Sequence, residues 1–256
     1  MDLSQQHGLL IACLLDMGEL LLDCGAEVSR VEDTLRRLSR AYGVGRSEIF
    51  VIPSIISVTA VFPDGETLTE TRRIRSTGAT DFYRLEKLNA LSRSCCAGPL
   101  PLEELRARLD KVAAGVKPGW MLYLGSAAAA GGFAVFFGGT LWDALAAAVF
   151  GLLVALLQRR LGRTQLNPVA VNLVLSLTVG LLVGGLALLV PALHADMILI
   201  GDIMLLIPGL AMTNAVRNML VGDTISGVVR LAETLIWAGA LAGGFMVSML
   251  ALELWR

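Results

Sequence analysis

The sequence predicts a two-part protein: an N-terminal α+β domain followed by an all-helical membrane domain of about five transmembrane helices, each of roughly 20 apolar residues. Three observations lead there. Of the 43 charged side chains in 256 residues, 30 fall within residues 1–115, which leaves 13 for residues 116–256. The second part holds uncharged runs of 25 residues (118–142) and 32 residues (164–195). The chain is 55% hydrophobic with a mean hydropathy of +0.69. A wholly soluble enzyme, a secreted disulfide scaffold and a disordered chain are thereby excluded. A net charge of −1 leaves no basic footprint for nucleic acid.

In the N-terminal domain, residues 4–23 and 26–42 read as helices. The second has apolar residues at Val28, Val31, Leu35 and Leu38, and its polar face carries the i,i+4 pairs Glu32/Arg36 and Asp33/Arg37. Gly25 separates the two helices, and Gly43 and Gly45 end the second. Residues 49–62 are rich in β-branched side chains, and the turn Pro63-Asp64-Gly65-Glu66 leads into a strand at 67–74, giving a hairpin or two strands of a small sheet. Helices at about 81–96 and 102–114 complete an ααββαα order. The four cysteines (Cys13, Cys24, Cys95, Cys96) lie in this domain without metal-ligand spacing and read as reduced thiols.

The uncharged runs place membrane spans at about 119–138, 141–158, 168–190, 197–216 and 231–252. Their glycine and alanine content, as in Ala127–Ala130 and Gly184-Gly185, suits close helix contact in lipid. Arg159, Arg160 and Arg163 follow the second span, and Arg217 and Arg230 flank the loop after the fourth, while the other two loops lack Lys and Arg. That alternation puts the N-terminus in the cytoplasm and the C-terminus, anchored by Trp255, outside. No basic leader precedes the apolar stretch at 9–15, so no signal peptide is expected.

Charges within spans are costly and mark candidate functional sites. Asp202 falls about two turns into the fourth span, and Pro208-Gly209 follow it. Pro208 removes the helical donor for the Met204 carbonyl, so the helix is expected to break. A broken helix at membrane depth exposes backbone dipoles to ions and carboxylates. A plain proline kink with a hydrated Asp202 near the outer interface is the alternative. Asn214 and Arg217, at i,i+3, lie at the inner end of that span, followed by Asp223 in the loop and then Arg230 and Glu233, also i,i+3. Arg230 and Glu233 form either a buried pair or an interfacial one. Together these groups surround one cytosolic entrance suited to a small zwitterion or carboxylate. Asn172 and Ser176 read as interhelical hydrogen-bonding groups. His7 is expected to be an exposed terminal residue and His194 a loop residue on the outer side. Phosphate-binding loops, nucleophile elbows and metal-ligand motifs are absent from the sequence, so no catalytic residue, metal or cofactor is expected.

The segment from Asp23 to Thr34, containing Gly25, Glu27, Arg30 and Glu32, resembles the N-terminal signature of the threonine/serine exporters. The stretch from Gly201 through Asp202, Pro208 and Gly209 to Ala215 resembles that family's late membrane motif, continued by Gly222-Asp223-Thr224 and by Arg230-Leu231-Ala232-Glu233. The resemblance spans nearly the whole chain. Full-length members carry about twice the spans counted here, so the chain resembles the larger subunit of the split, YjjP-like form, whose remaining helices come from a small multi-span membrane partner. The resemblance implies proton-driven export of a small amino acid such as threonine or serine, or of a dicarboxylate such as succinate. It implies a proton- or substrate-coupling role for Asp202 and a binding role for the Pro208-Gly209 backbone. A possible homo-oligomer would equally cover the apolar surface that five spans leave. The expectation is therefore a transporter subunit of the cell (inner) membrane, not an enzyme. The alternative is a non-transporting regulatory or assembly membrane protein acting through its cytosolic domain.

Overall fold

The computed structural model describes residues 3–74, 80–114, 119–162 and 167–254. Arg163 and Trp255, used above to orient the chain, lie outside them. The elements run α1 (Leu3–Asp23), α2 (Val28–Ala41), β1 (Arg46–Ile52), β2 (Ile55–Val61), β3 (Thr67–Arg73), α3 (Phe82–Ala97), α4 (Leu102–Ala113), α5 (Trp120–Phe136), α6 (Leu141–Leu161), α7 (Pro168–Leu189), α8 (Ala195–Leu206), α9 (Gly209–Leu220) and α10 (Thr224–Glu253). They divide into two compact units. One comprises Met1–Val116 with Leu210–Leu231, the other Lys117–Gly209 with Ala232–Arg256.

The first unit is organised around α1, which is apolar on several faces and buried at Leu10, Ile11, Leu14, Leu15, Met17, Leu21 and Leu22. A helix of that kind needs neighbours all round, and α2, α3, α4 and the sheet supply them. Gly18 allows the closest approach, since a Cβ there would lie 2.9 Å from Ile56 Cδ1. α2 presents Val28, Val31, Leu35 and Leu38 to the same core. At the α1–α2 junction Gly25 adopts φ +82°, a left-handed conformation in which its N–H and that of Ala26 reach back to Leu22 and Leu21.

The sheet differs from the two strands expected from the sequence. Three strands pair antiparallel in the order β1-β2-β3, because the stretch 49–62 folds back at Pro53-Ser54 so that Ile52 faces Ile55. Pro53 cannot donate to a ladder, which makes it a turn residue rather than a strand interior. Ile56, Val58 and Ala60 of β2 face the core, and on the opposite face Ser57 and Thr59 bond Thr71 and Thr69 of β3. The polar edge strand β3 is tied to α1 by Arg72, whose guanidinium bonds Asp16 and, at 3.2 Å, Glu19. His7 departs from its expected exposure. Its ring stacks on Phe62 with centroids 3.6 Å apart, and Nδ1 lies 2.6 Å from Glu66 Oε2. Hydrogen bonds from His7 and Ser4 hold the Glu66 carboxyl below its ordinary pKa. All four cysteines are free thiols, and burial pushes Cys13 and Cys24 up to about 11.

In the second unit small residues bring helices into backbone contact, as lipid-embedded bundles require. A Cβ on Gly131 would lie 2.9 Å from the Ala144 carbonyl, and one on Gly151 2.8 Å from that of Ser126, which joins α5 to α6. Ser176, Gly180 and Gly184 of α7 run alongside Gly244, Ser248 and Leu252 of α10 in parallel. Ser176 is fully buried there but bonds its own helix, to the carbonyls of Asn172 and Leu173. Outward, Trp142, Leu145, Val149, Leu182, Leu235, Ile236 and Leu250 stand exposed, an apolar surface fit for acyl chains.

Among the described residues three helices are long and apolar enough to cross a bilayer: α6, α7 and α10. α8 and α9 pass together as a fourth, a span sharply bent at its break. The first expected span corresponds to α5, which is apolar but has 17 residues, about 25 Å of helix. The last is longer than the sequence suggests, since α10 begins at Thr224 and takes in Arg230 and Glu233.

Candidate functional site

α8 ends at Leu206, Ile207 turns extended (φ −63°, ψ 126°), and α9 starts at Gly209. Pro208 is the cause: without an N–H it cannot serve the Met204 carbonyl, and the Gly209 N–H turns to the Ile207 carbonyl at 2.8 Å. The expected kink is therefore a complete break. One turn before it, Asp202 is fully buried. Neither of its carboxyl oxygens has a hydrogen-bond partner among the described residues. Its neighbour Gly201 explains the burial, since a Cβ there would sit 2.5 Å from the Ala130 carbonyl of α5, pressing this turn of α8 into the bundle. A carboxyl so placed calls for a proton, a cation or a donor group.

A second group gathers within the first unit. The guanidinium of Arg217 on α9 bonds the carboxylate of Glu27, 190 residues away at the start of α2. Glu32, one turn further along α2, accepts a hydrogen bond from the Val51 N–H at 3.0 Å. Burial raises the Glu32 pKa above the ordinary value, and the nearby charge of Asp223 adds to this, while the Val51 hydrogen bond opposes it. The two separate sequence motifs thus meet: Glu27 and Glu32 with Arg217 and Asp223. Gly25 takes part through its backbone, and a side chain there would also meet Thr80 Oγ1 at 3.0 Å. Arg30 points to solvent on α2, and Asn214, Arg230 and Glu233 are half-buried on their helices.

Asn218 and Asp143 escape the sequence reading, and His194, expected as a loop residue, gains a partner in Asp143. Asn218 on α9 is buried, with Oδ1 unpartnered among the described residues, while its carbonyl accepts the Asp223 N–H at 2.9 Å. Asp143 and His194 form the third feature, in the helical unit. Asp143 Oδ2 accepts from the Thr140 N–H (2.7 Å) and hydroxyl (2.8 Å), and Oδ1 accepts from the His194 N–H (2.8 Å). The His194 Nδ1 lies 2.9 Å from Oδ2. Thr140 and Asp143 make a capping box at the start of α6, a T-x-x-D spacing that was readable in the sequence. The contact with His194, 51 residues on, was not. Among the described residues one group, His7 with Asp64 and Glu66, has the geometry to hold a metal ion, in a sequence where no metal ligand was expected. Its His7–Glu66 bond already ties α1 to the β2–β3 turn.

An α+β unit and long apolar helices, one of them broken at a proline close to a buried acid, mark a multi-pass membrane protein. The chain belongs to the ThrE family, "Putative threonine/serine exporter", whose profile matches residues 12–252. It is 26% identical over 250 residues to "Probable succinate transporter subunit YjjP" of Klebsiella aerogenes, covering 97% of this chain and 95% of that protein. It is 25% identical over 258 residues to the protein of the same name from Escherichia coli, covering 100% of this chain and 98% of that one. No solved structure matches the chain.

Proposed function

We propose that this protein is one subunit of a secondary exporter that moves a small carboxylate-bearing solute, a threonine- or serine-like amino acid or a dicarboxylate such as succinate, against a proton flux. It acts with a small multi-span membrane partner, and its N-terminal domain lies on the cytoplasmic side of the inner membrane. The observation that carries this reading is Asp202: a fully buried carboxyl with both oxygens unpartnered among the described residues, one turn from a proline break. Such a group exchanges a proton or a ligand with little local rearrangement, and the broken backbone beside it offers dipoles to a carboxylate. Arg217 and Asp223, held against Glu27 and Glu32, connect α9 to the N-terminal domain, so movement of that half-helix is transmitted to it. Asn214, Arg230 and Glu233 add polar groups along α9 and α10.

The test is efflux from cells lacking their own exporters, loaded with threonine, serine or succinate and expressing this chain with its neighbouring membrane subunit. Asp202→Asn keeps the shape and removes the titration. It should reduce efflux by about 100-fold or more, on the scale of a lost essential proton carrier, with membrane levels unchanged. Full efflux in that variant overturns the coupling role.

A further inference from the structure

We propose that His194 and Asp143 form a proton-binding gate at the end of the helical unit opposite Arg159 and Arg160. This rests on the proton-coupled reading above and adds a second proton site to it.

The geometry sets the chemistry. Asp143 is fully buried, whereas 58% of the His194 side chain is open to solvent. A carboxylate accepts only, so Nδ1 of the imidazole is the donor in their 2.9 Å contact. Nε2 is then the nitrogen left to take a proton from water and return it. Imidazole is the side chain whose titration lies nearest neutral pH. His194 is also the N-cap of α8, the helix that carries Asp202 eight residues later, about 12 Å along the axis. A proton bound at Nε2 makes the contact to Asp143 a charge-assisted pair and clamps the start of α8 to the start of α6. Its loss leaves the weaker neutral hydrogen bond beside the backbone tie and so loosens the start of α8 without releasing it.

Among the described residues, few other charges bear on this pair. Asp196 lies in the first turn of α8 itself. Glu253 is at the end of α10, which runs parallel to α7 and so finishes at the same end of the unit. The neighbouring termini of α5 and α7, residues 136–142 and 186–193, contain no titratable side chain. Both the clamp and the backbone tie converge on Asp143, but only the clamp is made by the imidazole. The bond from the His194 N–H to Oδ1 survives any change of side chain. His194→Gln therefore removes the proton site and leaves the loop anchored.

The experiment measures efflux by the full chain and its partner subunit against external pH, between about 5.5 and 8, where histidine titrates. The wild type should change rate by about threefold or more across that window, and His194→Gln should transport with a profile flat to within about 1.5-fold. Asp202→Asn should be inactive throughout. A His194→Gln profile that follows the wild type overturns the gate while leaving the exporter reading intact. A wild type that moves none of the solutes at any pH overturns both. To keep folding apart from gating, the protein carries a second readout. It has only two histidines, so in a His7→Gln background the ring-nitrogen NMR signals belong to His194 alone. Asp143→Asn should shift the Nδ1 signal by removing the carboxylate acceptor; an unchanged signal overturns the pairing.

Discussion

Asp143 and Asp202 occupy the same helical unit, are both fully buried, and have opposite surroundings. Asp143 has its oxygens bonded by two backbone N–H groups and a hydroxyl, with an imidazole at hydrogen-bond distance; Asp202 has none of these among the described residues. A membrane-embedded carboxylate surrounded by donors is a structural element, because its removal strands those donors. One without them adds no hydrogen bond to hold the bundle together and leaves its carboxyl open to a proton or a ligand. The two acids thus set an anchored carboxyl against an unanchored one, and the coupling role proposed above falls to the second. His194 at the start of α8 touches the anchored acid, and Asp202 further along that helix is the unanchored one.

The largest effect that would sharpen the contrast is on stability. Asp143→Ala leaves the Thr140 and His194 N–H groups without their acceptor and should cost about 2–4 kcal/mol. Asp202→Asn removes no partner and should melt no lower than the wild type. Thermal unfolding of the detergent-purified full chain reads both. Equal losses in the two variants would break the distinction. Thr140→Ala is a smaller cut into the same cluster. It deletes one hydroxyl and half of the capping box while the backbone bonds to Asp143 remain, so about 1 kcal/mol is expected. A loss as large as that of Asp143→Ala would mean that the cap, and not the link to His194, holds this end of the unit together.

What the sequence disclosed follows the range over which its signals act. The amphipathic period of α2, the uncharged runs and the proline after Asp202 are local, and each was readable. Pro53 was also local and was passed over: β-branched residues on both sides favoured one strand, although a proline has no donor for a ladder. The Glu27–Arg217 pair joins residues 190 apart, and the His194–Asp143 pair joins residues 51 apart. No periodicity announces such contacts, since they depend on how the helices pack. Asp202 was legible as a candidate because charge is rare in such segments. Its lack of partners was not, because that is a property of everything around it.

Glu32 provides a third acid for the comparison, in the first unit and intermediate in kind. It is half-buried, has one donor from Val51, and faces the like charge of Asp223. Burial, with Asp223 adding to it, raises its pKa above the ordinary 4.5. A group whose folded pKa is raised stabilises the fold fully below its unfolded pKa, and that contribution is lost as pH rises through the folded value. Glu32→Gln keeps an oxygen for the Val51 N–H and removes the charge. The variant and the wild type should therefore melt together below about pH 4.5, and the variant should gain on the wild type as the pH rises from there toward neutrality. The gain should be small, because a partly exposed carboxylate is screened by water. A wild type that instead gained on the variant as the pH rose would mean that the Val51 hydrogen bond outweighs burial and Asp223, making Glu32 an anchored acid like Asp143, and curves in parallel would mean that the opposing effects cancel. The predicted divergence would instead make it a strained one, holding the α9–α10 turn against a repulsion that protonation relieves.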